Sequence, residues 1–287
     1  GDKMCAATTS TTTLSLRCVG FCGADDSVDP RLLLAISSQH EWVEWGVLFR
    51  EEKGGSPRFA SGAWLRKLAR VNAGRTMRLA AHLCAERVDE VLRGEPAFVR
   101  YLLQEVGFRR VQINATSANG CDMSLFADDD GACRCAASLR GLIGAVPQIE
   151  FILQHNSQTR HLCEKLLEQP PPNLSFLYDE SMGFGVCATA WPEPRAKVPF
   201  GFAGGLSPKN IAEELIKMDA VAAGGQLWVD METSLRTQLQ DGSDIFDCNK
   251  AMACVDAVIG LGLKPDVCVR LANGNDASQK KQKIADG

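Results

Sequence analysis

Short apolar runs alternate with stretches of helical period along most of the chain. Eight runs read as strands: Leu16–Cys22, Trp42–Phe49, Met77–Cys84, Arg109–Asn114, Gln148–Gln154, Leu174–Tyr178, Val198–Ala203 and Gln226–Val229. Their starts fall about 25 to 40 residues apart, room for a strand, a crossover helix and two loops. Between them lie helical patterns. Pro30–Ser38 follows Asp29 as N-cap, with proline at the first helical position. Ser61–Val71 sets Trp64, Leu65, Leu68 and Val71 on one face, and Ser157–Leu167 does so with Leu162, Leu166 and Leu167. Ser207–Met218 opens with a serine cap followed by Pro208, and Asp247–Ile259 closes the series. Strict alternation predicts a parallel sheet. Eight such units favour closure into one (β/α)8 barrel, the TIM-barrel class, over an open sheet with two edges.

Segments 1–13 and 270–287 read as a frayed lead-in and a polar, lysine-rich mobile tail. Segment 115–147 is long, carries Asp128-Asp129-Asp130, and reads as an elaborated loop after strand four with a helix near Cys133–Ile143. The 287 residues suit a single barrel, since the fold needs about 250. Hydrophobic residues at 45% and charged residues at 23% suffice for a full core. A net charge of −4 excludes a broad basic face for nucleic acid or acidic membrane. No apolar run of membrane-spanning length occurs, and the start lacks the apolar core of a signal peptide. Twelve cysteines occur without a CxxC pair or zinc-ligand spacing. Reduced thiols, a cytoplasmic protein, no metal and no cofactor are therefore expected.

In a barrel, chemistry gathers where strands end. Cys22 ends strand one, Arg58 follows strand two and His82 sits on strand three. Gln112 and Asn114 end strand four, Gln154 and His155 end strand five, and Asp179 follows strand six. Gly204-Gly205 follows strand seven, and Asp230 follows strand eight. Asp25 and Asp26 either cap the first helix or place carboxylates at the mouth. Glycines followed by a helix start at Ser207 suit an anion, and equally suit a tight turn. Trp42, Trp45 and Trp64 read as packing residues. Glu44, between two tryptophans on a strand, needs a buried partner.

Several of these residues stand in a familiar order. They are Phe21-Cys22-Gly23; Gly46-Val47-Leu48-Phe49 with Lys53 and Ser56-Pro57-Arg58; Asp179 with Gly183, Gly185 and Trp191; Ala203-Gly204-Gly205-Leu206-Ser207-Pro208-Lys209-Asn210; and Val229-Asp230. The chain resembles phosphoribosylanthranilate isomerase over almost its whole length. The resemblance implies an Amadori rearrangement of an N-linked phosphoribosyl amine, an aldose–ketose type of isomerisation, on a small phosphorylated or anionic metabolite. It implies Asp179 as the acid that protonates the ring oxygen and Cys22, as thiolate, as the base. Arg58 would clamp a carboxylate. Gly204 and Gly205 would hold phosphate, joined by Thr233 and Ser234 in the loop after strand eight. His82, Gln112 and Asn114 would contact substrate, with Asp25 and Asp230 beside them in the pocket.

The chain departs from that pattern at several places. Gly20 stands where the family has lysine, and Glu232-Thr233-Ser234 replaces serine–serine–glycine. Val186-Cys187 lies where the glycine-rich loop has its lysine, and Thr189-Ala190 precedes Trp191. A divergent relative is implied. The alternatives are another barrel isomerase, epimerase or lyase using Asp179 with His82 or Asp25, or a non-enzymatic relative that binds a metabolite or a protein through 115–147.

Overall fold

The computed structural model describes residues 15–194, 198–222 and 225–262, so segments 1–13 and 270–287 lie outside the described residues. Eight parallel strands close into a barrel in sequence order. They are β1 (Ser15–Cys22), β2 (Val43–Phe49), β3 (Arg78–Leu83), β4 (Arg110–Ile113), β5 (Glu150–His155), β6 (Leu174–Tyr178), β7 (Phe200–Ala203) and β8 (Gln226–Met231). β8 pairs back onto β1, with Val19 opposite Val229, so no open edge remains. Each apolar run of the sequence became one strand, with bounds shifted by two residues at most.

The strands are buried on both faces, apolar toward the helices and mixed toward the axis, as a parallel barrel requires. In β1, Val19 and Phe21 join the large core shared with the helices, while Cys18 faces an inner cluster with Ile152, Leu177, Ala203 and Trp228. Side-chain period two therefore sends residues 18, 20 and 22 inward. Gly201 makes the inner cluster possible, because a Cβ there would lie 2.3 Å from the Trp228 indole.

Below that cluster the barrel axis is ionic. Glu44 has the partner its sequence context demands: Arg110 binds it inside the barrel. Arg110 also reaches Glu150 at 3.1 Å and stacks over Trp228 at 4.4 Å. Arg17 grips Glu150 from the other side at 2.8 Å. Burial alone would raise the Glu150 carboxyl, but Arg110 and Arg17 outweigh it and hold it at about 2. Trp42, Trp45 and Trp64 are buried packing residues.

The helices start where side chains cap them. α1 (Pro30–Gln39) begins after Asp29, which accepts from Arg31 N. In α2 (Gly62–Val71) the Ser61 hydroxyl accepts from Trp64 N, and Trp64, Leu65 and Leu68 are buried. α3 (Glu86–Leu92) and α4 (Ala97–Tyr101) fill the crossover after β3, and a π turn at Leu102–Val106 extends α4. Neither helix has a capping side chain, and the sequence pattern did not mark them. Segment 115–147 consists mainly of α5 (Asp129–Ala145), capped by Asp128, preceded by two short 3-10 turns. α6 (Arg160–Leu167) begins later than Ser157, because Asn156 holds residues 156–159 in a turn through Gln158 N and Thr159 N.

α7 (Ile211–Ala222) likewise starts four residues after Ser207. α8 (Cys248–Gly260) is capped by Asp247. A hairpin of β9 (Arg236–Gln238) and β10 (Asp244–Phe246) lies between β8 and α8. No helix occurs among the described residues between β6 and β7. No helix among the described residues is long and apolar enough to cross a membrane.

Candidate functional site

At the carboxyl ends of the strands lies a cavity of about 220 Å³. Its floor is apolar, made by Leu177 and Ala203 at the top of the inner cluster. Inward residues of successive strands make its walls. Cys22, His82, Gln112, Asn114, Asp179 and Asp230 all line it. So do Gly204, Gly205, Thr233 and Ser234.

One wall is a neutral hydrogen-bonded chain. His82 Nδ1 lies 3.3 Å from Cys22 Sγ and 3.0 Å from Gln112 Nε2. Gln112 Nε2 also donates to Asn114 Oδ1 at 2.9 Å. An amide donor on Nδ1 assigns the ring proton to Nε2. That nitrogen fits because β2 has Gly46 beside it, where a Cβ would lie only 2.8 Å away. Burial, and secondarily Arg110, pushes His82 down to about 3, so the ring is uncharged. Burial and the Glu232 and Asp230 carboxylates push the Cys22 thiol well up. Cys22 is thus a neutral thiol, not the thiolate that the resemblance implied. That role needed a neighbouring cation, and carboxylates stand there instead.

The other wall carries two carboxyls in opposite surroundings. Asp179 accepts from Ser181 N and Gly183 N, both at 3.0 Å, and from Ser181 Oγ and Gln154 Nε2. Each of its oxygens therefore takes two donors. Asp230 has none: His82 Nδ1 lies 3.9 Å away, and among the described residues no donor reaches it. Burial, followed by Glu44 and Glu232, pushes Asp230 well above the usual carboxylate range. Gly20 makes its position possible, since a Cβ there would lie 2.5 Å from Asp230 Oδ1.

Arg58 and Asp25 stand outside the cavity lining, braced to other loops. Arg58 Nη1 reaches Glu232 at 3.1 Å, and its Nε reaches Asp244 at 3.4 Å. Its backbone N–H donates to Asp25 Oδ2 at 2.6 Å. Asp25 also pairs with buried Arg236 at 2.8 Å. Together they tie the loops after β1, β2 and β8.

The glycine segment has backbone φ of +110° at Gly204 and +63° at Gly205. Gly205 meets the next loop so closely that a Cβ would lie 2.1 Å from Cys187 N. The turn amides beyond it are already used. Ser207 N donates to Asn210 Oδ1 at 2.8 Å, and Lys209 N donates to Ser207 Oγ at 3.3 Å. Ser234 Oγ donates to Leu206 O at 2.6 Å.

Gln154, Asn119, Ser181 and Glu232 also line the cavity. The inward alternation 150–152–154 and 228–230–232 was the signal for Gln154 and Glu232. Among the described residues the lining holds no lysine or arginine. Nor do any three His, Cys, Asp or Glu side chains among them group closely enough to hold a metal ion.

No protein-family model and no curated protein matches the chain. Solved structures resemble it in shape. A monomeric form of phosphoribosylanthranilate isomerase from Thermotoga maritima is 16% identical, with a TM-score of 0.47, covering 85% of this chain and all of its own. The corresponding isomerase from Thermococcus kodakaraensis is 12% identical, with a TM-score of 0.46, covering 85% of this chain and 99% of its own. A D-psicose 3-epimerase from Clostridium cellulolyticum H10 is also 12% identical, with a TM-score of 0.46, covering 85% of this chain and 97% of its own. At such identities no residue role passes from them to this chain, and what it shares with them is the TIM-barrel architecture that its own strand pairing shows.

Proposed function

We propose that the barrel mouth is an acid–base site that isomerises a small hydroxylated carbonyl compound, by an aldose–ketose or Amadori-type shift. The observation that carries this reading is the pair of carboxyls lining one cavity, Asp179 with four donors and Asp230 with none. A carboxyl held in a web of donors beside one that burial raises well above the usual range suits a base and an acid in one cavity. Asp230 donates its proton to the carbonyl or ring oxygen. Asp179 takes the proton from the adjacent carbon, giving an enediol or enaminol, and protonation at the neighbouring carbon completes the shift. This differs from the roles the resemblance implies, where Asp179 is the acid and Cys22 the base. His82, Gln112 and Asn114 supply neutral hydrogen bonds to hydroxyl groups. The chemistry requires a carbonyl and its neighbouring C–H, and no phosphate.

A panel of aldoses, ketoses and N-glycosides, phosphoribosylanthranilate among them, tests the reading. Turnover of at least one member is expected, falling roughly 100-fold or more in Asp230→Asn and in Asp179→Asn, the usual scale of general acid–base catalysis. Turnover that survives both substitutions would refute it.

A further inference from the structure

We infer that the cavity is built for a ligand bearing a protonated amine, a small amino polyol or amino sugar, seated among Asp179, Asp230 and Glu232. This rests on reading those carboxyls as one site with Asp230 and Asp179 at its centre. All three acids line the cavity, and among the described residues no cation does. Of the rim cations, Arg58 lies outside the lining and pairs with Glu232 from behind as well as with Asp244, and Arg236 pairs with Asp25 and Asp244, which leaves Asp179 and Asp230 without a paired cation among the described residues.

A second observation points to a ligand that donates. Gln154 is 2% exposed and lines the cavity, yet its Oε1 is buried with no donor. The amide cannot be reversed, because its Nε2 is the group that donates to Asp179. Asp230, which lines the same cavity, takes no hydrogen bond from a described residue. An ammonium group brings three N–H donors and a positive charge. A phosphate brings neither, and it would meet three acids.

The neighbours of Asp230 set the pH behaviour. His82 faces it from β3, Glu44 and Arg110 from the barrel axis, Cys22 from β1, Glu232 from its own strand's end, and Asp179 from β6. His82 is neutral, and the nearby carboxylates outnumber Arg110. Burial, opposed by Arg58, raises Glu232 as well. An arriving ammonium favours ionised Glu232 and drives its proton off, while Asp230 keeps the proton it donates, so binding strengthens as pH rises.

Glucamine, sorbitol and sorbitol 6-phosphate offer one carbon skeleton with a cation, no charge and a dianion. Calorimetric titration of the intact protein between pH 6 and 8 reads binding without needing turnover. Glucamine is expected to bind at least about tenfold tighter than sorbitol, a difference of about 1.4 kcal/mol. Its Kd falls with pH, its heat varies with the buffer as protons are released, and sorbitol 6-phosphate does not compete. Glu232→Gln and Asp230→Asn each lower the preference for the amine, with the barrel still folded by circular dichroism. Equal binding of glucamine and sorbitol, tighter binding of the phosphate, or no saturable binding of glucamine would overturn the inference. Tight glucamine binding with no turnover of any sugar in the panel would instead count against the acid–base reading, and turnover of neutral sugars without amine preference against this inference alone.

Discussion

Asp230→Asn is expected to stabilise the protein while it removes the acid. Asp230 is 8% exposed, with His82 Nδ1 at 3.9 Å and no donor among the described residues. Its folded value lies above the ordinary 3.8, through burial first and then Glu44 and Glu232. A carboxyl raised in this way contributes its full stability below the unfolded value and loses it as pH rises through the folded value. At alkaline pH the native state therefore holds an unmatched buried charge. A buried polar group left without its partner costs about 1–3 kcal/mol, more when charged. Asparagine keeps the shape that Gly20 accommodates and never ionises. The gain is put at about 1–2 kcal/mol at pH 8, which for a barrel of this size raises Tm by roughly 2–8 °C. At pH 4 the gain vanishes. Urea unfolding of both proteins at the two pH values, followed by tryptophan fluorescence with unchanged slope, measures it. A variant less stable at pH 8, or one offset equally at both pH values, would refute the reasoning.

Three other substitutions or treatments probe the frame around the site. Arg110→Met leaves Glu44 buried without its cation, and should lower stability by about 3–5 kcal/mol in urea, with Glu44→Leu added to it restoring most of the loss; an unchanged midpoint in the single variant would contradict the ionic axis. Gly201→Ala drives a methyl to 2.3 Å from the Trp228 indole, an overpacking cost of about 1–3 kcal/mol, read as a lower Tm and a shifted tryptophan spectrum. Iodoacetamide at pH 7.5 should label exposed Cys133 well before Cys22, which is buried and held neutral; peptide mass spectra showing Cys22 labelled first would restore the thiolate.

The strands were legible because each is a short, mainly apolar run of consecutive residues between helical patterns. The same holds for α1 and α2, whose caps Asp29 and Ser61 lie next to the helix they start. α3 and α4 were not legible, since Ala85 and Pro96 precede them without a capping side chain. The start of α7 was misplaced because Ser207 caps a turn through Asn210 before the helix proper. Glu44 announced a missing partner, but Arg110 is 66 residues away and only closure of the barrel brings it near. At the mouth, strand ends identified His82, Gln112, Asn114 and Asp230, because period two fixes which residues face inward. Arg58 and Asp25 sit on loops, where pairing with Glu232, Asp244 and Arg236 decides position and no local pattern records it.

Proton exchange at carbon tests the central claim most directly. The sugar panel is incubated with the protein in D2O and followed by proton NMR at the carbon beside the carbonyl. The account predicts deuterium appearing at that carbon in at least one sugar. It also predicts loss of that exchange in Asp179→Asn, and a fall of roughly 100-fold or more in Asp230→Asn. Turnover without deuterium uptake, exchange that persists in Asp179→Asn, or no exchange in any sugar would contradict it.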